Sequence, residues 1–245
     1  MSYFCVSTPP YSLSIMGLLL LGAFFLQRNC DMKKRVIFYF DGFNFYNGLR
    51  DKSLIDPNWK QYYWIDLVKF CEAFITSTDS ELIAVKYFTS PPTNPTKRSK
   101  QSAFFGANKL LNPTRFIIVN GHHTKKTINC EAVCKLPFFV MEEKRTDVNI
   151  AIDIMCDCID GLVDTVVLIT ADSDQIPTIQ KVKQRFPKIK LKVYFPPKRT
   201  SQDILNQVSP VVFLDNNEDK FKAALMTTEV TDGVKKYTKP ADWKK

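Results

Sequence analysis

The stretch that most constrains this chain is Val166–Pro177, VVLITADSDQIP. Val166, Val167, Leu168, Ile169 and Thr170 form a β-branched, apolar run of the kind buried on both faces of a parallel sheet. Ala171, Asp172, Ser173 and Asp174 follow at once, and then a helical pattern. Two carboxylates therefore stand where a strand ends and a helix begins. In open α/β sheets ligands bind at that edge, and the amides of a helix N-terminus add positive character there. A purely structural account also exists, because Asp and Ser are ordinary N-caps. One acid is readily a cap. Two, one residue apart, raise the question of whether other acids arrive at the same place.

The rest of the chain alternates in the same way from Arg35 onward. Val36–Phe40 reads as a strand ending in Asp41-Gly42-Phe43-Asn44, Trp64–Ile75 as a helix, and Glu81–Phe88 as a second strand. A Pro-rich turn at 90–95 precedes the helix Lys97–Leu111 and the strand Arg115–Asn120. His122–Pro137 is polar and irregular and reads as an excursion or hairpin. Then come the helix Thr146–Ile159, the strand Asp164–Thr170, the helix Ser173–Phe186, the strand Ile189–Phe195, a short helix at 202–207 and the strand Val211–Leu214. Strands alternating with helices imply βαβ units. The expected fold is α/β, a three-layer αβα sandwich with a mostly parallel central sheet.

On a wheel of about 100° per residue, Asp147 falls with Ile150, Ala151, Ile154 and Cys158 on the apolar stripe of its helix. Asn149, Asp153, Asp157 and Asp160 are assigned to the solvated arc. A carboxylate on a core face is costly unless it is paired, hydrogen-bonded or metal-bound, which makes Asp147 a functional candidate. Asp41 ends the first strand as Asp172 follows a later one. If those two strands are neighbours, Asp41, Asp172 and Asp174 converge at one edge, within reach of Asp147. Four carboxylates in one crevice do not all stay ionised without a cation. With oxygen ligands only, Mg²⁺ or Mn²⁺ is the natural ion.

Composition narrows the partner. The chain of 245 residues carries 34 Lys+Arg against 25 Asp+Glu, a net charge of +9, which suits a polyanion. There is no GxGxxG and no GxxxxGK[ST], so a nucleotide cofactor is not expected. Seven irregularly spaced cysteines argue for a reducing compartment, and a cytoplasmic location, rather than a disulfide framework. Residues 1–31 look unlike the rest. Their apolar run, residues 15–26, is shorter than the roughly 20 residues a bilayer span needs. It lacks the flanking features of a signal peptide. A dispensable or mis-assigned extension is the preferred reading over a membrane tether. Residues 32–215 form the expected domain, with a Cys-bearing hairpin at about 121–140, and 216–245 are read as a basic tail.

The segments RVIFYFDGFNFYNGL, EEKRTDVNIAIDI and DTVVLITADSDQIP, in this order and spacing, resemble the NYN domain, in the LabA-like branch of the PIN-like nuclease superfamily. YFTSPP, the basic helix after it, the Cys-bearing hairpin and KPADW near the end are similar to that branch too, so the resemblance covers roughly Lys33 to Trp243. Asp41 and Asn44 match the family's first motif, Asp147 its middle acid, and Asp172 and Asp174 its last acidic pair. The resemblance implies a PIN-like, Rossmann-like topology and divalent-metal-dependent ribonuclease activity. Two positions depart from it. The family usually has Gly where Ala171 stands and an aromatic or aliphatic residue where Gln175 stands.

The expectation is thus an endoribonuclease acting on single-stranded RNA. Asp41, Asp147, Asp172 and Asp174 are its catalytic and metal-holding residues. Asn44, Ser173, Lys97, Arg98, Lys144 and Arg145 are its candidate substrate contacts. Phe43, Phe45 and Tyr46 could stack on bases, though at least one is expected in the core. Two alternatives use the same residues: a non-catalytic RNA- or protein-binding module, and a small-molecule phosphohydrolase. Zinc at His122, His123, Cys130 and Cys134 is disfavoured, because the spacing fits no common zinc pattern.

Overall fold

Residue parity along the first strand decides the architecture. In the computed structural model, which describes residues 33–129 and 137–243, β1 (Lys34–Asp41) is the centre of a six-stranded sheet. Val36, Phe38 and Phe40 enter one buried cluster, while Ile37 and Tyr39 enter another on the opposite face. A strand apolar on both faces has to be covered on both, and helices do so here. α1 (Gly42–Ile55), α2 (Leu67–Glu72) and α3 (Pro95–Leu111) meet the first cluster through Phe45, Phe70 and Phe104. α4 (Thr146–Ile159), α5 (Ile176–Arg185) and α6 (Gln202–Leu205) meet the second through Ile150, Ile179 and Ile204. The result is the three-layer αβα sandwich expected from the sequence.

The sheet contains β2 (Ser80–Thr89), β3 (Phe116–Asn120), β6 (Thr165–Ile169), β7 (Lys190–Phe195) and β8 (Val212–Phe213), in the order β3-β2-β1-β6-β7-β8. Every pairing within it is parallel. The intervening β4 (His122–Asn129) and β5 (Pro137–Lys144) form a separate antiparallel hairpin, with His122 opposite Lys144. Strand order therefore reverses between β1 and β6, which is where a doubly wound sheet opens its ligand crevice.

Three parts differ from the sequence reading. α1 was not anticipated: Asp41 caps it by accepting from the Asn44 amide at 3.0 Å. Its mixed sequence, GFNFYNGLRDKSLI, offers no clean helical stripe, and Gly42 and Gly48 lower helix propensity. The helix read over 64–75 is shortened to α2, because Asp66 caps it late, accepting from the Val68 and Lys69 amides. Residues 216–243, read as a tail, fold back on the body. There α7 (Glu218–Ala223) buries Phe221 among Phe45, Trp59 and Phe70. The hairpin of β9 (Glu229–Thr231) and β10 (Lys236–Thr238) lies against α3, where Tyr237 leaves Gly106 no room for a Cβ. The apolar residues there are sparse but large, and a charge-rich segment hides such anchors. Residues 1–31 lie outside the described residues.

Asp157 is the clearest correction on α4. It was assigned to solvent, yet it is buried, and its Oδ2 accepts from the Tyr39 hydroxyl at 2.6 Å and pairs with Lys86 Nζ at 2.7 Å. On the wheel it lies only about 20° from Ile150, so the stripe extends to it and the charge is met by a partner on β2. Lys86 also binds Asp153 at 3.1 Å. Burial pulls the Lys86 ammonium down, but Asp157 and Asp153 more than offset this and hold it above its ordinary range. Burial and Asp157 push the Tyr39 phenol far up. The network ties α4 to β1 and β2. Asp157→Ala leaves Lys86 with Asp153 alone and the Tyr39 hydroxyl without its acceptor, and is expected to cost about 2–3 kcal/mol, read as a lowered urea midpoint.

Candidate metal centre at the carboxyl edge of the sheet

β1 and β6 run side by side, with Phe40 opposite Ile169, so their ends bring Asp41 next to Thr170. Asp41 continues the odd-numbered face of β1 that carries Ile37 and Tyr39, the face covered by α4. Its side chain is buried. Oδ1 accepts from the Asn44 amide at 3.0 Å and Oδ2 from the Thr170 hydroxyl at 2.8 Å. The Thr170 oxygen in turn accepts from the Asp172 amide at 3.0 Å, so one buried hydroxyl fixes both the first acid and the backbone of the second. Asp172 caps its own 3-10 turn, Ser173–Gln175, by accepting from the Asp174 amide at 3.0 Å. Both acids do act as caps, as the structural account allowed.

Capping does not explain their company. One oxygen each from Asp41, Asp147 and Asp172 lie within 4.8 Å of one another. Asp147 arrives from the first turn of α4, whose N-cap, Arg145, has φ 78° and no side-chain capping bond. The sequence placed Asp147 on the buried stripe, but it is exposed, because the first turn of α4 stands at the sheet's edge rather than over it. Gln175 reaches it there. This side chain is 1% exposed, and its Nε2 donates to the Asp147 backbone oxygen at 3.3 Å and carboxylate at 3.4 Å. The Gln175 Oε1 accepts from the Thr178 hydroxyl at 3.3 Å. The residue that looked like a departure is thus the partner of the middle acid. A buried amide at the start of an amphipathic helix was the available signal.

Burial, with smaller contributions from Asp147 and Asp172, raises the Asp41 carboxyl to about 6 against the two hydrogen bonds that lower it. Mutual repulsion of this kind is what a cation relieves. Three hard oxygen donors at that spacing fit Mg²⁺ or Mn²⁺, and their chemistry does not suit a softer, thiolate-seeking ion. Gly42 is held by space: a Cβ would come within 2.3 Å of the Tyr87 ring and 2.4 Å of the Phe88 oxygen.

The other expected residues are distributed unevenly. Asp174 is exposed and outside the group of three. Asn44 uses its side-chain oxygen to accept from the Ala171 amide at 3.3 Å, tying α1 to the end of β6. Ser173, Lys97, Arg98 and Arg145 are exposed, with Arg98 donating to the Pro92 carbonyl at 2.9 Å. The Lys144 side chain lies outside the described residues. For the zinc alternative, His122 is exposed, while the His123 side chain, Cys130 and Cys134 also lie outside them.

Residues 35–215 match the NYN domain. The chain belongs to the NYN domain family. It is also similar to 6-hydroxy-3-succinoylpyridine 3-monooxygenase HspA of Pseudomonas putida (strain DSM 28022 / S16), 28% identical over 191 residues. That match takes in 64% of this chain and 59% of the relative, so the chain spans about three fifths of the relative's length. Among solved structures it is similar to a protein of unknown function from Vibrio parahaemolyticus RIMD 2210633, with a TM-score of 0.52 and 21% identity. That likeness covers 76% of this chain and 96% of the other and concerns the fold. The NYN family places the three-carboxylate cluster in a nuclease-like α/β domain.

The raised pKa of Asp41 has a definite sign. Its folded value, about 6, lies above that of a free aspartate, about 3.9. Its favourable contribution is therefore complete below pH about 4 and lost as the pH rises through about 6. In metal-free buffer, Asp41→Asn is expected to be more stable than wild type at pH 8, by about 2–3 kcal/mol, and the gap should close by pH 4. Thermal melts in EDTA across that range read it.

Proposed function

We propose that this NYN protein is a divalent-metal-dependent endoribonuclease that hydrolyses single-stranded RNA. The observation that carries the reading is the meeting of Asp41, Asp147 and Asp172, from β1, α4 and the end of β6, within 4.8 Å at the strand-order switch. The family membership and the net charge of +9 support it. Asp41, Asp147 and Asp172 would hold the ion, with Asp174 beside them at the rim. Bound there, Mg²⁺ or Mn²⁺ would supply Lewis-acid stabilisation of the scissile phosphate and an ionised water.

The chain's own residues do the positioning. Thr170 and the Asn44 amide hold Asp41, while Thr170 also fixes the Asp172 backbone. Gln175 steers Asp147. Asn44 pins the Ala171 amide. Lys97, Arg98, Lys144 and Arg145 would draw the RNA backbone toward the acids by charge. The free thiols of Cys71, Cys156 and Cys158 agree with work in the cytoplasm. Among the described residues, no helix is long and apolar enough to cross a membrane.

A second reading comes from the curated relative, whose name describes a monooxygenase of a pyridine substrate. The aromatic cavity beside α1 favours giving a small aromatic substrate its own assay. Consumption of 6-hydroxy-3-succinoylpyridine with oxygen uptake in the presence of an added two-electron reductant, and no RNA cleavage, would replace the nuclease reading.

Two measurements test the main proposal. Purified protein should cleave labelled single-stranded RNA with Mg²⁺ or Mn²⁺ and stop in EDTA. Asp172→Asn should lower the rate by about 100-fold or more, on the scale of losing a principal electrostatic contact. Equal rates for wild type and Asp172→Asn would end the proposal. Gln175→Met keeps the volume but removes the amide that steers Asp147. It is expected to weaken Mn²⁺ binding by about 10–100-fold, the usual cost of an outer-sphere partner, as read by calorimetric titration.

A further inference from the structure

A cavity of about 710 Å³ opens beside the metal-holding edge, between α1, the 3-10 helix Pro57–Tyr63, α3 and the C-terminal Trp243. Its size lies within the range typical of ligand sites, about 300–1,000 Å³. Phe43, Tyr46, Tyr63, Phe105 and Trp243 line it. Large apolar rings are seldom left open without a reason, yet Phe43 is 60% and Tyr46 40% exposed. The rings form a run rather than a scatter: Tyr46 and Tyr63 have centroids 5.7 Å apart, and Tyr63 and Trp243 5.4 Å apart.

The polar groups of the cavity point to an anionic occupant. Lys60 and Lys97 are exposed at its wall; Lys60 is close enough to Asp242 to help hold that carboxyl below its usual range, and Lys97 has no carboxylate within ion-pair distance among the described residues. Asp242 is the acid of the lining, and it is already bound to Lys100 at 2.5 Å. Ser90 also stands in the wall. It is 6% exposed, lines the cavity, and its hydroxyl has no hydrogen-bond partner among the described residues.

We infer that this cavity holds an unpaired nucleotide of the RNA strand, its base against the Phe43 and Tyr46 rings and its phosphate drawn by Lys60 and Lys97. This rests on the ribonuclease reading for its substrate class and adds the place where single-strandedness is read. A base within a duplex offers neither face to an aromatic ring, whereas an unstacked base offers both. Phe43 follows Asp41 by two residues at the start of α1, so the cavity adjoins the strand end that carries the first acid.

The test is binding without turnover. Fluorescence anisotropy of a labelled oligouridylate, in EDTA, is measured for wild type, Phe43→Ala, Tyr46→Ala, Lys97→Ala and Asp172→Asn. Phe43→Ala and Tyr46→Ala are expected to weaken binding about fivefold or more, from loss of one stacked base. They should leave the affinity for an abasic strand of equal length unchanged. Lys97→Ala should lower the salt slope by about 1. Asp172→Asn, which removes a charge that repels the phosphates in metal-free buffer, should bind at least as tightly as wild type. Binding of oligouridylate by Phe43→Ala and Tyr46→Ala at wild-type strength overturns the inference, as does an equal loss on the abasic strand. Absence of oligouridylate binding by wild type overturns it too. Competition by free uridine monophosphate as strong as by the strand replaces the RNA with a mononucleotide. Full cleavage by Asp172→Asn alongside loss of binding in Phe43→Ala would leave the cavity assignment standing and remove the metal-centre reading. Phe43 is mostly exposed, so its truncation should leave the thermal melt in place.

Discussion

Everything at the candidate site depends on the parallel pairing of β1 with β6. Neither strand carries a complete binding group, and their acids lie more than a hundred residues apart in sequence. In register, Phe40 beside Ile169, the strands end level, and Asp41 and Thr170 become lateral neighbours. A slip of one residue would turn Asp41 to the other face of the sheet, toward α1 and α3 and away from α4. Two apolar clusters, one on each face, make that slip prohibitive. The hydrophobic core thus sets the geometry of the charged site.

The same region concentrates unfavourable electrostatics. Asp41 is buried beside two other acids, and its raised pKa records the cost. The rest of the fold offsets this with hydrogen bonds from Asn44 and Thr170, and it keeps Asp147 and Asp172 less buried. A second ionic network, around Asp157, lies on the same face, and there the charges are matched by Lys86 and Tyr39. The contrast separates the two. At Asp157 the chain's own cation fastens a helix, whereas the three carboxylate oxygens gathered at the sheet edge are suited to an added ion.

Much of this was legible in the sequence, because strands buried on both faces and acids at strand ends leave strong local patterns. Val166–Thr170 and Asp41 are such cases. What was lost depended on partners distant in sequence. Asp157 was set with the solvated arc although the wheel puts it about 20° from Ile150, because Lys86, the partner that makes its burial tolerable, belongs to another βα unit. Asp147 looked buried because a helical wheel does not say where the sheet ends beneath the helix. Gln175 looked like a departure from the family because its partner, Asp147, arrives from another helix. The residues after 215 looked like a tail because their few large anchors, Phe221 and Trp243, are diluted by charge.

Those anchors change what counts as the domain. The family match stops at residue 215, yet Phe221 fills the space between Phe45, Trp59 and Phe70, and Tyr237 closes over Gly106. A chain ending at 215 would keep every carboxylate and expose the aromatic interior behind them. Trp243 would leave with the same piece, and with it one side of the cavity next to the acids. The last stretch of the chain is therefore at once a plug for the core and part of the wall of the cavity. Loss of fold and loss of the cavity wall are coupled through a segment that contributes none of the three clustered carboxylate oxygens.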